Sequence, residues 1–253
     1  MNIEKDCGVM EQNSNTYHAI IFDLDGTLVN TGPLIEESFR YTFSKAFKVA
    51  IAPEELTSLV GIPLAAQMLH FAVHYYDERT SHFEQANNPD ELAGQLIEVY
   101  REYCAKIHDD YIEPFEGITP FIEELKKSGA HFGVATSKRH QTAVQDLDHF
   151  GLYKYFDVLI GADDVSEHKP KPMPLLKVLE LLNTQHETLI SPAQCIYVGD
   201  SPYDIQAAKA AGMMSVGAGY GMFSPELLIA EKPNLLVQSP AELNQLLNYL
   251  SVY

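Results

Sequence analysis

Positive charge is in short supply in this chain. Lys and Arg number 17 against 35 Asp and Glu, a formal net charge of −18. The broad cationic face that nucleic acid demands is therefore absent, and no basic stripe interrupts the deficit. An anionic substrate stays compatible with such a chain if local cations, metal ions and main-chain amides reverse the field within one cleft. Cysteine is scarce too. Cys7, Cys104 and Cys195 are far apart, odd in number and outside any CxxC spacing, so neither a disulfide framework nor a zinc site is indicated, and a reducing cytoplasm fits best. No apolar run approaches the ~18 residues of a membrane span, so a soluble protein is expected. The first sixteen residues, MNIEKDCGVMEQNSNT, lack the basic start and apolar core of a signal peptide and are expected to form a loose N-terminal extension.

What is present is a globular composition, 46% hydrophobic and 21% charged over 253 residues, enough for one large α/β domain or two modest ones. The most informative run is DLDGT at 23–27, entered through apolar HAII at 18–21. A turn opened by Gly26 can bring the carboxylates of Asp23 and Asp25 toward one ligand at a strand end. Asp followed by Gly is also a common turn signal, so the chemical reading depends on partners elsewhere.

Downstream, Ile35, Phe39, Phe43 and Phe47 recur at intervals of four and predict one face of an amphipathic helix. Leu64, Met68, Phe71 and Tyr75 predict a second, and Leu92, Leu96, Tyr100 and Tyr103 a third, opened by Asn88 and Glu91 at capping-box spacing. The stretch 31–113 reads as wholly helical. From about 116 the texture changes to short β-rich runs alternating with helical ones: 131–136, 156–161, 195–200 and 213–217. Alternation of this kind predicts an α/β fold, a Rossmann-like doubly wound parallel sheet whose ligands sit beyond the carboxyl ends of its strands. Ser239, Pro240 and Glu242 stand at the cap, first-turn and third positions of a last helix. The expected organisation is an α/β core over 17–30 and 114–253, interrupted by an all-helical cap at 31–113.

Polar chemistry gathers at the predicted strand ends: Asp23 and Asp25, then Thr136 and Ser137, then Lys169 in HKPKPMP, then Asp200 and Asp204 in GDSPYD. Singly, each has a plain structural account. Thr136 and Ser137 could cap a helix, Lys169 could be solvated in a Pro-rich turn, and Asp204 could cap the helix opened by Ser201 and Pro202. Those accounts do not explain the order. Taken together the groups resemble the haloacid dehalogenase-like phosphohydrolases, whose motifs run DxD, Ser or Thr, Lys, and GDxxxD; the resemblance spans about residues 17–220.

The resemblance implies that Asp23 is a nucleophile forming an aspartyl-phosphate and that Asp25 is the general acid and base. Lys169 would neutralise charge between nucleophile and phosphate. Thr136 and Ser137, with Gly26 and Thr27, would bind substrate, and Asp23, Asp25 through its main-chain carbonyl, Asp200 and Asp204 would provide the Mg²⁺ site. An acid at position 25 favours phosphoryl transfer over dehalogenation. LVGIP at 59–63 and GADDVSEHKPKP at 161–172 look most like phosphoglycolate phosphatases and related pyrophosphatases. The cap has 6 basic against 14 acidic residues, a net of −8, which suits a small phosphorylated metabolite better than a polyanion. An inorganic pyrophosphatase or nucleotidase of the same family, a sugar phosphomutase and a non-catalytic phosphate-binding protein are the competing readings, and no feature specifies an oligomeric state. GAGYG at 217–221 lacks GxGxxG spacing and reads as a flexible loop at the site rim. His70 and His74 stand four apart without a third ligand and read as surface histidines.

Overall fold

The computed structural model describes residues 17–50, 52, 55 and 59–250. The expected N-terminal extension, with Cys7, lies outside them. Six parallel strands form the sheet, in the order β5-β4-β1-β6-β7-β8. They are β1 (Ala19–Phe22), β4 (His131–Ala135), β5 (Val158–Ile160), β6 (Cys195–Gly199), β7 (Met214–Ala218) and β8 (Leu235–Val237). After β1 the chain builds outward on one side through β4 and β5, then crosses to the other through β6. The reversal leaves a crevice at the carboxyl end of β1.

The alternation of side chains along each strand supplies two cores. On β1, Ile20 and Phe22 join Val134, Ile196 and Val198 on one face, covered by α4 (Ile118–Leu125), α5 (His140–His149) and α9 (Pro240–Tyr249). Ala19 and Ile21 point the other way, toward Leu175, Val178 and Leu182 of α6 (Met173–His186) and Ala207 and Ala208 of α7 (Pro202–Ala211). A strand buried on both faces shows no alternation of polarity, which is why AIIF reads as a plain apolar run.

A third core belongs to the helical insert. Phe39 and Phe43 of α1 (Gly32–Ala46), Met68 and Phe71 of α2 (Leu64–His74), and Leu92, Leu96 and Tyr100 of α3 (Pro89–Tyr111) close on one another. The Phe39 and Phe71 rings lie 6.1 Å apart, centroid to centroid, and Phe39 and Tyr100 5.0 Å. Asn88 caps α3, accepting from the Glu91 amide at 2.9 Å, while the Glu91 carboxylate reaches back past the cap to the Asn87 amide at 2.8 Å. The insert is not helical to its end. β3 (Glu113–Pro114) pairs antiparallel with β2 (Val29–Asn30), tying the outgoing and returning strokes of the chain together. Two-residue strands are too short to carry a period, so sequence patterning does not reveal them. No described helix is long and apolar enough to cross a membrane.

Candidate active site

Register places the chemistry. Phe22 pairs with Val134 on one side and Val198 on the other, so the residues that follow each strand emerge level at one edge. Asp23, Thr136 and Asp200 are delivered there side by side, each at most 4% exposed. Lys169 arrives from the loop after β5, also buried, while Lys171 two residues on is exposed. Above this edge lies a cleft of about 820 Å³. Asp23, Asp25, Thr136, Ser137 and Asp200 line its floor, and Val60, Gly61, Ile62 and Arg101 of the insert contribute to its roof.

At the base, Lys169 Nζ stands 2.7 Å from Asp204 Oδ1 and 2.9 Å from Asp23 Oδ1. The second contact is an ion pair outside hydrogen-bond alignment, so Asp23 Oδ1 is buried without a hydrogen-bond partner. Asp204 divides its oxygens. Oδ1 takes Lys169 and the Tyr197 hydroxyl, the latter at 2.9 Å, whereas Oδ2 accepts the Ser201 amide at 3.0 Å and hydroxyl at 2.6 Å in the capping box of α7. Asp200 Oδ2 accepts the Met222 amide at 2.6 Å.

Three carboxylates against one ammonium, nearly buried at the cleft floor, make full ionisation costly. Burial pushes Asp23 up to about 7, with Lys169 opposing and Asp204 and Asp25 reinforcing the rise. Asp200 is raised well above the usual carboxylate range by burial and by the charges of Asp204 and Asp23. Burial works against the charge on Lys169, but Asp204 and Asp23 outweigh it and hold the amine protonated. One oxygen each of Asp23, Asp200 and Asp204 falls within 4.8 Å of the others. Three converging carboxylate oxygens offset by one ammonium suit a divalent cation held by oxygen ligands.

Several expected site residues are engaged in local hydrogen bonds. Gly26 and Thr27 do not reach the cleft: their amides are spent inside the turn, on Val29 O at 2.9 Å and Leu24 O at 3.3 Å, and Thr27 is fully buried. Gly26 has φ +74°, and a Cβ there would stand 2.0 Å from Asp200 Oδ2. Ser137 Oγ donates to Gly61 O at 2.6 Å, a contact between the site loop and the insert. Neither Thr136 nor Ser137 caps α5, whose cap position is Arg139; Thr136 Oγ1 instead accepts the Lys138 amide at 3.1 Å. The run 217–221 reaches the site rim but is packed, not loose. Tyr220 donates to Thr27 O at 3.1 Å, and a Cβ on Gly221 would come within 2.3 Å of Asp200 Cβ. His70 and His74 are exposed on α2.

Sequence reasoning missed Lys138, Asp146 and His108. Lys138 Nζ is 2.7 Å from Asp25 Oδ1 and also contacts Asp146 Oδ2. Asp146 Oδ1 lies 2.9 Å from His108 Nε2 of α3. The available signal was the adjacency of Lys138 to Thr136 and Ser137; nothing local marks the other two.

The profile of the haloacid dehalogenase-like hydrolases matches residues 20–218. The chain belongs to this family. Among its relatives, a candidate pyrophosphatase PpaX of Caldanaerobacter subterraneus subsp. tengcongensis is 37% identical over 220 residues, covering 87% of this chain and 90% of that protein. A candidate phosphatase from Clostridium difficile superposes with a TM-score of 0.71 at 30% identity, over 92% of this chain and 99% of the other. A candidate phosphoglycolate phosphatase from Lactobacillus plantarum gives 0.73 at 26% identity, over 91% and 99%. The protein is thus a hydrolase with phosphatase relatives, built as a doubly wound core with an inserted helical cap.

Proposed function

We propose that this protein is a Mg²⁺-dependent phosphatase acting on small phosphomonoesters through an aspartyl-phosphate on Asp23, with the cap spanning about 31–113. The observation that carries the reading is the convergence of four segments: Asp23, Thr136 and Asp200 line the floor of one roofed cleft, and Lys169 and Asp204 are buried against Asp23 beneath it. An Asp23 oxygen attacks phosphorus as the bond to the leaving oxygen breaks, and Asp25 gives that oxygen a proton. Asp25 then takes a proton from water, which attacks the same phosphorus and frees Asp23. Lys169 holds the nucleophile's charge in check, and Thr136 with nearby amides steadies the phosphoryl oxygens. Asp23, Asp200 and the main-chain carbonyl of Asp25 would hold Mg²⁺, with Asp204 orienting them, and the ion supplies charge neutralisation between carboxylate and phosphate. Gly26 and Thr27 drop out of the phosphate contacts.

Pyrophosphate is a second reading, favoured by the 37% identity to the PpaX protein. The free thiols of Cys104 and Cys195 accord with a reducing cytoplasm. Phosphate release from phosphoglycolate, pyrophosphate and p-nitrophenyl phosphate, with and without Mg²⁺, is the test. Metal-dependent release that Asp23→Asn abolishes is expected; native-rate turnover by that variant would remove Asp23 from the reaction. Ranking by kcat/KM separates the two substrate classes.

A further inference from the structure

Asp25 is held by a chain of side chains that begins in the cap. His108 on α3 places Nδ1 2.8 Å from Asp109 Oδ1 and Nε2 2.9 Å from Asp146 Oδ1. Asp146, on α5, has no exposed surface. Its second oxygen grips the ammonium of Lys138, whose other partner is Asp25 Oδ1 at 2.7 Å. Both ring nitrogens of His108 face carboxylates, which only the imidazolium satisfies by donating twice. The pKa of His108 is raised to match: burial opposes the charge, but the bonds to Asp109 and Asp146 outweigh it.

Lys138 could instead be read as an anion anchor for substrate. Its surroundings argue otherwise. The ammonium is already shared between two carboxylates, and turning it toward a phosphate would leave the fully buried Asp146 to His108 alone. A cation so compensated adds little attraction for an anion. What it can do is fix a direction: Asp25 lines the cleft with its side chain 18% exposed, and Lys138 removes the rotamer freedom that exposure would otherwise allow.

We propose that Lys138, gripped by Asp146, is a positioning residue that aims the Asp25 carboxylate, and that His108 ties this grip to the cap so that the aim depends on where the cap sits. The inference rests on the proposed role of Asp25 as acid and base. A misaimed acid hurts most where the leaving group most needs a proton, so the loss carries a signature that general damage does not. In the first step Asp23 forms its bond to phosphorus, the ester bond breaks, and the proton of Asp25 passes to the departing oxygen. A nitrophenolate leaves without that proton far more readily than a phenolate does.

The experiment measures kcat/KM, which reports steps up to the phospho-enzyme, for phenyl phosphate and p-nitrophenyl phosphate with Mg²⁺ present. Wild type is compared with Asp25→Asn, Lys138→Met, Lys138→Arg, Asp146→Asn and His108→Asn. Asp25→Asn calibrates the signature, a loss of about 100-fold or more on phenyl phosphate and at least roughly tenfold less on the nitrophenyl ester. Lys138→Met and Asp146→Asn are expected to show the same skew, His108→Asn a smaller one, and Lys138→Arg to recover most of it. The isosteric Asp146→Asn carries the test if Lys138→Met does not fold. Equal losses on both esters in the Lys138 and Asp146 variants, beside a skewed Asp25→Asn, overturn the positioning role and leave the phosphatase reading intact. A skew in those variants with native behaviour in His108→Asn overturns the link to the cap. If Asp25→Asn itself shows no skew, or wild type releases no phosphate from either ester, the underlying reading fails and the inference falls with it.

Discussion

Asp204 shows how one side chain can answer to two descriptions at once. As a helix cap it accepts from Ser201 through Oδ2, and as part of the site it holds Lys169 through Oδ1. A sequence reading that weighed capping against chemistry was weighing two halves of one carboxylate. For Lys169 and Lys171 the choice is sharper, since two residues separate a buried ammonium at 2.9 Å from Asp23 from an exposed one. Lys169→Ala is expected to lower kcat by roughly 100-fold or more, because it strips the charge opposing the nearly buried Asp23 and Asp204. Lys171→Ala should leave kcat unchanged. Steady-state kinetics on p-nitrophenyl phosphate decide between them, and equal effects would reverse the assignment. Thr27 is fully buried, and the turn that presents Asp25 consumes the amides of Gly26 and Thr27 in its own hydrogen bonds.

Between elements, the cap helix α3 and the core helix α5 meet through His108 and Asp146, 38 residues apart in sequence. The groups facing that imidazole are Asp109, Asp146, Lys138 and the ring of His149, 6.2 Å away. Because the folded protein binds the His108 proton more tightly than the unfolded chain does, its contribution to stability is fullest below about pH 6.5, the unperturbed histidine value. The contribution is lost as pH rises through the folded value. Thermal melts of wild type and His108→Asn should therefore converge as pH rises from about 6.5, and a gap that widens with pH would reverse the sign. The three cap helices were legible from their periodicity: Phe39 and Phe43, Met68 and Phe71, Leu92 and Leu96 all face the cap core. Their mutual contacts were not, because a period of 3.6 reports which face is apolar and carries no information on what it packs against. The short pair β2 and β3 fell below the length at which any period shows.

Across the whole molecule, a chain of net charge −18 gathers three of its carboxylates, Asp23, Asp200 and Asp204, against one ammonium at its centre. The fold bears that cost where a cation can relieve it. Mg²⁺ should raise the melting temperature, by an amount equivalent to about 2.7 kcal/mol when the ion stands at 100 times its Kd. Asp200→Asn should melt higher than wild type in chelator and lose most of the Mg²⁺ shift; a wild type indifferent to Mg²⁺ would count against the cation site. The sequence by itself determined five of the six apolar strand runs, the polar residues beyond four of them, and hence the order Asp23, Thr136, Lys169, Asp200, since strand and turn chemistry are local; the short edge strand Leu235–Val237 was not among them. Only the tertiary structure decided which oxygen meets which nitrogen: Lys169 between Asp23 and Asp204, Lys138 between Asp25 and Asp146, His108 reaching in from the cap. A parallel sheet brings strand ends to one edge, but the pairing of charges there follows from how distant helices pack, and packing is a property of the folded whole.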